Sequence, residues 1–220
     1  MQTTPVDIVR IPPVATPGTQ YQAPLVAALR DRSIAITTAL DVLRNQVEAL
    51  SAVAVTLVGA LRGGKKLLVA GNGGSAAEAQ HFATEMVGRF KRERDAFAVL
   101  ALTADTAVLT AIANDYGYAE IFARQVRAVG HPGDVLIGFS TSGESENVIR
   151  ASSAAQQRGM TVVAITGGTP SRLERQADLV VRVPTCDTPL AQELHVILLH
   201  LLCDIVEAEL VGDTSRGPTW

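Results

Sequence analysis

Residues 71–86 read GNGGSAAEAQHFATEM and follow an apolar run, Leu67 to Ala70, of the right length for one buried strand. Three glycines in four residues, Gly71, Gly73 and Gly74, open backbone conformations that other residues resist. Ser75 then offers a hydroxyl as N-cap for a following helix. Strand, glycine loop and helix in this order aim loop amides and the positive end of a helix dipole at an anion. On the helix, His81 and Glu85 are four residues apart, about 40° around the axis, so they project from one face. An imidazole and a carboxylate therefore stand beside the anion.

Outward from this stretch the pattern is regular. After Gly63 and Gly64, short apolar runs at Lys66 to Ala70, Ala98 to Leu102, Val135 to Phe139, Thr161 to Thr166 and Leu179 to Val183 alternate with helical periodicity. Alternating strands and helices imply a parallel sheet of five strands covered on both faces, an α/β fold in three layers. Ligands of such sheets bind beyond the carboxyl ends of the strands, where the strand order reverses. Two loops fit that place: Gly71 to Ser75 after the first strand and Ser140 to Ser145 after the third.

Upstream, apolar residues recur at helical spacing from Leu25 to Leu61, which predicts one long helix or two joined near Asp31. The stripe is broad, with Ala52, Val55 and Val58 making a second apolar face, so one face is expected to pack on the domain and the other on a second subunit. Four prolines in residues 1–20, with Pro24 close behind, predict a mobile arm before a single domain over 21–211. A last helix from about Thr188 to Leu210 leaves a frayed tail, 212–220.

Composition excludes several classes. A net charge of −3 with scattered Lys and Arg argues against a nucleic-acid partner. No apolar run approaches the length of a membrane span, and the first residues, with Pro5 and Asp7, do not resemble a signal peptide. Cys186 and Cys203 lack metal-knuckle spacing and are expected as buried thiols in a reducing cytoplasm.

The chemistry lies in a few side chains. Gly71, Gly73 and Ala76 match the dinucleotide pattern G-x-G-x-x-A, but Asp105 lies too far along to serve the ribose and no Walker lysine follows Ser75. The second loop, STSGES, offers Ser140, Thr141, Ser142 and Ser145 where a helix begins, more hydroxyls than capping uses and well suited to a phosphate monoester. On the last helix Gln192 and His200 are two turns apart, about 80° around the axis, and can face one cleft. With His81 and Glu85 they form a plausible zinc set, glutamine being an uncommon member. His195 lies on another flank and is read as structural, and His131, beside Pro132 and Gly133, as a turn residue. Asn114 and Asp115 close a helical run from Thr106 to Ala113, where turn formation and substrate contact are about equally good readings.

Taken together, GNGGSAAEAQHFATEM, AIANDYGYAEIF, GDVLIGFSTSGESENVI and AQELHVILLH, in this order, resemble the phosphoheptose isomerases of the sugar isomerase domain superfamily over roughly residues 25–210. The resemblance implies a flavodoxin-like sheet, a homotetramer with sites at subunit interfaces, and one zinc ion per subunit on His81, Glu85, Gln192 and His200. It implies that Asn72, Gly73, Gly74, Ser75, Glu85, Asn114, Asp115, Ser140, Thr141, Ser142, Ser145 and Gln192 contact the sugar phosphate. It also implies that Glu85 and His200 act as acid and base in converting sedoheptulose 7-phosphate to D-glycero-D-manno-heptose 7-phosphate. A non-catalytic branch on the same scaffold associates with a replication initiator protein and shares the AIAND segment, but lacks the catalytic Glu and the final His. This chain keeps both, and departs from the isomerase loop only in having Glu144 where Asn is common.

Overall fold

Consecutive side chains on a strand face opposite sides of a sheet, and the strand runs of this chain are apolar at consecutive positions, so each strand needs cover on both faces. The computed structural model describes residues 18–211 and meets that demand with helices on either side of one parallel sheet. In chain order the elements are α1 (Gln22–Leu43), α2 (Val47–Arg62), β1 (Leu67–Ala70), α3 (Gly74–Val87), β2 (Val99–Ala101), α4 (Thr106–Tyr116), α5 (Ala123–Val129), β3 (Val135–Ser140), α6 (Glu146–Gln157), β4 (Thr161–Thr166), α7 (Arg172–Gln176), β5 (Leu179–Arg182) and α8 (Thr188–Val211). The expected arm falls almost wholly outside the described residues, as does the expected tail. Among the described residues no helix is long and apolar enough to cross a membrane.

The strand order is β2-β1-β3-β4-β5, all parallel. From β1 the chain moves outward to β2, then returns to the other flank of β1 as β3, so the order reverses between β1 and β3. Their register sets Ala70 opposite Gly138, and β3 runs on beside β4 as far as the Ser140–Thr166 pair. The loops leaving β1 and β3 therefore emerge side by side, at the place where such sheets bind ligands.

Alternation sorts the strand side chains into two cores. Leu67, Val69, Ile137, Phe139, Val163 and Ile165 pack with α2, α3 and α8, while Leu68, Ala70, Leu136, Val162 and Ala164 pack with α5 and α6. α3 contributes Ala79, Phe82, Ala83 and Met86, a stripe at helical spacing. That stripe leaves His81 and Glu85 on the flank toward α8.

The N-terminal helical region is two helices, but the break lies at a 3-10 turn over Arg44–Gln46 rather than near Asp31. Gln46 explains the position: its side chain donates to the Arg182 carbonyl at 2.9 Å, pinning the turn to the end of β5. Pro24, in the first turn of α1, removes a donor that no helical carbonyl would have met. α1 buries only Ala39 and Leu43, and Leu25, Val26, Leu29 and Ile34 are each more than half exposed. Cys203 is buried, as expected; Cys186 is exposed, because it lies in the open turn before α8.

Between α3 and β2 the chain makes no regular element, yet three consecutive amides in it meet one carboxylate. Glu207 of α8, fully buried, accepts the backbone N–H groups of Phe90, Lys91 and Arg92 at 3.0, 2.7 and 2.9 Å and the Arg94 Nε–H at 3.1 Å. Asp204, one turn earlier, takes Lys91 Nζ at 2.9 Å and Arg92 Nη1 at 2.8 Å. Burial by itself pushes the Glu207 carboxyl up, but the three amides and Arg94 prevail and hold it below its ordinary 4.5. The stability it contributes is therefore complete above pH 4.5 and is lost as the pH falls through the lower folded value. Glu207→Gln keeps the shape but removes the charge, so urea unfolding at pH 7 should show a loss of about 3 kcal/mol. That deficit relative to the parent should narrow as the pH is taken well below 4.5, and a deficit that does not change with pH would contradict this account.

Candidate active site

The glycine loop turns earlier than its residues suggest. Gly73 adopts φ 57°, open to glycine and costly to other residues, and the helix begins at Gly74, so Ser75 is the second helical residue rather than the N-cap. The Ser75 amide closes the turn by donating to the Asn72 carbonyl at 3.0 Å. Asn72 in turn exchanges two hydrogen bonds with Asn147 of α6, both at 2.8 Å, and its Oδ1 also accepts from the Tyr118 hydroxyl at 2.9 Å. The two ligand loops are thus tied by a reciprocal amide pair. Asn147 and Tyr118 carry no motif signal of their own; only their place beside STSG and after AIAND could have suggested them.

The second loop is bonded into the sheet. The Gly143 amide donates to the Ser140 carbonyl at 3.1 Å and to Ser140 Oγ at 3.0 Å, the Gly167 amide to the Thr141 carbonyl at 3.1 Å, and the Leu173 amide to the Gly143 carbonyl at 3.0 Å. Ser145 is the N-cap of α6, but its hydroxyl is not spent on the helix and lies 3.3 Å from Ser140 Oγ. Asn72, Gly73, Gly74, Ser75, Ser140, Thr141, Ser142, Ser145 and Gln192 line one cavity of about 280 Å³. Hydroxyls, loop amides and a helix N-terminus converge there, the surroundings a phosphate monoester requires.

Gln192 joins this cavity to a second, of about 390 Å³, whose walls include Gly74, Glu78, His81, Gln192 and Glu193. The Gln192 amide crosses so close to Gly74 that a Cβ there would lie 2.2 Å from Nε2. Beyond it, His81 Nε2 lies 3.0 Å from Glu85 Oε1 and 3.2 Å from His200 Nε2. One nitrogen can offer a hydrogen to one neighbour only, so the single His81 Nε2 cannot satisfy both. Three electron-pair donors that all lie within 4.8 Å of one another are the arrangement a divalent cation resolves. Burial lowers the His200 imidazole below its ordinary 6.5 and the neighbouring His81 adds to this, against the opposing pull of Glu85, which favours the neutral ring that can ligate.

The remaining sequence candidates divide. His195 is fully buried, with Nδ1 3.3 Å from Glu78 Oε2 and Nε2 3.3 Å from the Thr166 carbonyl, so it braces the core beneath the site. His131 sits in a turn whose amide donates to Asp134. Asn114 and Asp115 lie within the last turn of α4, which runs on to Tyr116; both are exposed and bonded to each other at 2.8 Å, and neither lines the cavities. Asp105, the residue a nicotinamide reading would need, caps α4 by accepting the Val108 amide at 3.0 Å.

Known proteins share this arrangement. The SIS domain family model matches residues 34–167. A phosphoheptose isomerase of Geobacter metallireducens is 52% identical over 167 residues, 76% of this chain and 88% of that protein. Among solved structures, the phosphoheptose isomerase of Neisseria gonorrhoeae aligns with TM-score 0.77 and 42% identity over 85% of this chain and 98% of its own. That of Francisella tularensis aligns with TM-score 0.79 and 36% identity over 82% and 97%. The fold, the paired ligand loops and these likenesses together show that the chain belongs to the SIS-domain family, among its phosphoheptose isomerases.

Proposed function

We propose that the chain interconverts sedoheptulose 7-phosphate and D-glycero-D-manno-heptose 7-phosphate through an enediolate. The observation that carries this reading is the convergence of His81, Glu85 and His200, with His81 sharing one cavity wall with Gln192 and Gln192 also lining the hydroxyl-rich cavity. In this reading the hydroxyls of Ser140, Thr141, Ser142 and Ser145, with the amides around Asn72, Gly73, Gly74 and Ser75, hold the phosphate. Asn114 and Asp115 meet the sugar from the rim.

The reaction moves one carbon-bound proton and one oxygen-bound proton. Glu85 takes the proton from C1 of the ketose and returns it to C2, which turns the hydroxymethyl carbon into the aldehyde. Oε1 faces His81, which leaves Oε2 for that transfer. His200 carries the second proton between O1 and O2. His81, Glu85, Gln192 and His200 would hold a zinc ion, which would supply Lewis-acid polarisation at the reacting oxygens. We assign the exposed apolar side chains of α1 to contacts between copies in a homotetramer, working in the cytoplasm, since Leu25, Val26, Leu29 and Ile34 are each more than half exposed on one chain.

Incubating the protein with sedoheptulose 7-phosphate should yield the aldose phosphate, and EDTA should stop the reaction until zinc is restored. Glu85→Gln keeps size and removes basicity: turnover should fall by about 10²- to 10⁴-fold while substrate still binds. A variant that keeps its turnover would refute the assigned role. Gly74→Ala tests the neighbouring contact, because the atom its Cβ meets belongs to the movable end of Gln192. Thermal unfolding should stay close to the parent's, since Gly74 is the first residue of α3 and the group displaced is the end of a flexible side chain. Sugar-phosphate turnover should nevertheless drop at least about tenfold as the amide is displaced. Unchanged turnover would mean that Gln192 has no part in the site.

A further inference from the structure

The His200 imidazole needs something to hold its plane. Rotation of a histidine ring about its last torsion is broad, and ligating histidines are usually fixed by a hydrogen bond from the second ring nitrogen. Here Nε2 faces His81, and among the described residues Nδ1 has no hydrogen-bond partner. The ring is held by aromatic contact. The Phe90 ring stacks on it at 5.4 Å between centroids and 23° between planes, while the His81 ring meets it edge-on at 4.9 Å and 80°.

Phe90 is itself fixed from the helix that bears His200. Glu207 is seven residues beyond His200 on α8, a spacing that returns a side chain to within about 20° of the same face. Its carboxylate holds the Phe90, Lys91 and Arg92 amides, and its partner Arg94 reaches across to donate Nη2–H to the Glu85 carbonyl at 2.9 Å. One turn of chain, residues 88–94, is thereby bonded to α8 below His200 and to α3 at Glu85, the two residues read above as acid and base.

We infer that this turn is a brace that sets the rotation of His200 relative to Glu85, with Phe90 as a positioning residue acting by its ring face and Glu207 acting through Phe90. The inference rests on the isomerase reading above. It also explains why a helix otherwise so apolar buries a carboxylate at 207: the charge gathers amides that a neutral side chain could not gather in that number.

The test compares Phe90→Leu, which keeps apolar bulk and loses the flat face, with Phe90→Tyr, which keeps the face. Three quantities are read on the full chain: zinc affinity by competition with a chromophoric chelator, kcat and KM for sedoheptulose 7-phosphate, and the thermal unfolding midpoint. The expected result for Phe90→Leu is zinc affinity and kcat both lower by about tenfold or more, as for removal of other outer supports of a metal ligand. KM should stay within about twofold, because Phe90 lines neither cavity described above. Phe90→Tyr should recover both quantities. The inference is overturned if Phe90→Leu keeps zinc affinity and kcat within about twofold of the parent, if Phe90→Tyr loses as much as Phe90→Leu, or if the losses only follow the fraction unfolded. Should the parent itself neither turn over the sugar phosphate nor bind zinc, the isomerase reading fails and the brace with it. Should the parent do both and Phe90→Leu match it, the brace alone fails.

Discussion

Everything chemical in this molecule depends on the apposition of α3 and α8. His81 and His200 are 119 positions apart, so no local preference of the chain brings their nitrogens to 3.2 Å. What does so is a shared core on one face of the sheet, where Phe82 and Met86 of α3 lie against the apolar mass of Leu194, Leu198, Leu199 and Cys203 of α8. Burying a large apolar side chain contributes about 1.5–3 kcal/mol, and interiors pack at crystal-like density, so the two helices have little freedom to slide or rotate. Hydrophobic contact fixes how close the helices lie. Polar contacts between the turn at 88–94 and both helices then fix their rotation, which non-directional packing leaves loosely defined.

The other half of the site follows from connectivity. Because β1 leads outward to β2 before the chain returns as β3, the two loops that offer amides and hydroxyls open next to each other. The Asn72–Asn147 pair then locks them with two bonds of one length, in a geometry where each amide is both donor and acceptor. An aliphatic residue at either place would leave the side-chain NH2 group of the other without this partner.

Much of this was legible in the residues. The strand–glycine–helix order, the five strand runs within a residue or so at each end, and the closing helix all follow from periodicity and glycine placement. That His81 and Glu85 share a face of one helix, and that Gln192 and His200 can look into one cleft from another, was within reach because helical spacing is arithmetic. What spacing could not convey was anything fixed by a distant partner. The helix break belongs at Arg44–Gln46 because Gln46 finds the end of β5, and nothing local at Asp31 or Arg44 announces it. Phe90 and Glu207 resemble an ordinary loop aromatic and an ordinary helix acid until the fold places one over an imidazole and the other under three amides. Asn114 and Asp115 show the reverse, a motif plain in sequence whose side chains, within one chain, face solvent.

The loop after β3 has a dynamic consequence. Its backbone continues the hydrogen bonding of the two central strands, with the amides of Gly143, Gly167 and Leu173 all engaged. Amides of this kind exchange with solvent only when the unit around them opens, and that unit includes the middle of the sheet. In the function proposed above, this loop carries its hydroxyls on a backbone already held to the sheet, so little entropy is lost in arranging them around a phosphate. Selectivity at the phosphate end, in that reading, comes from the shape of a bowl whose wall shares the hydrogen bonding of the sheet.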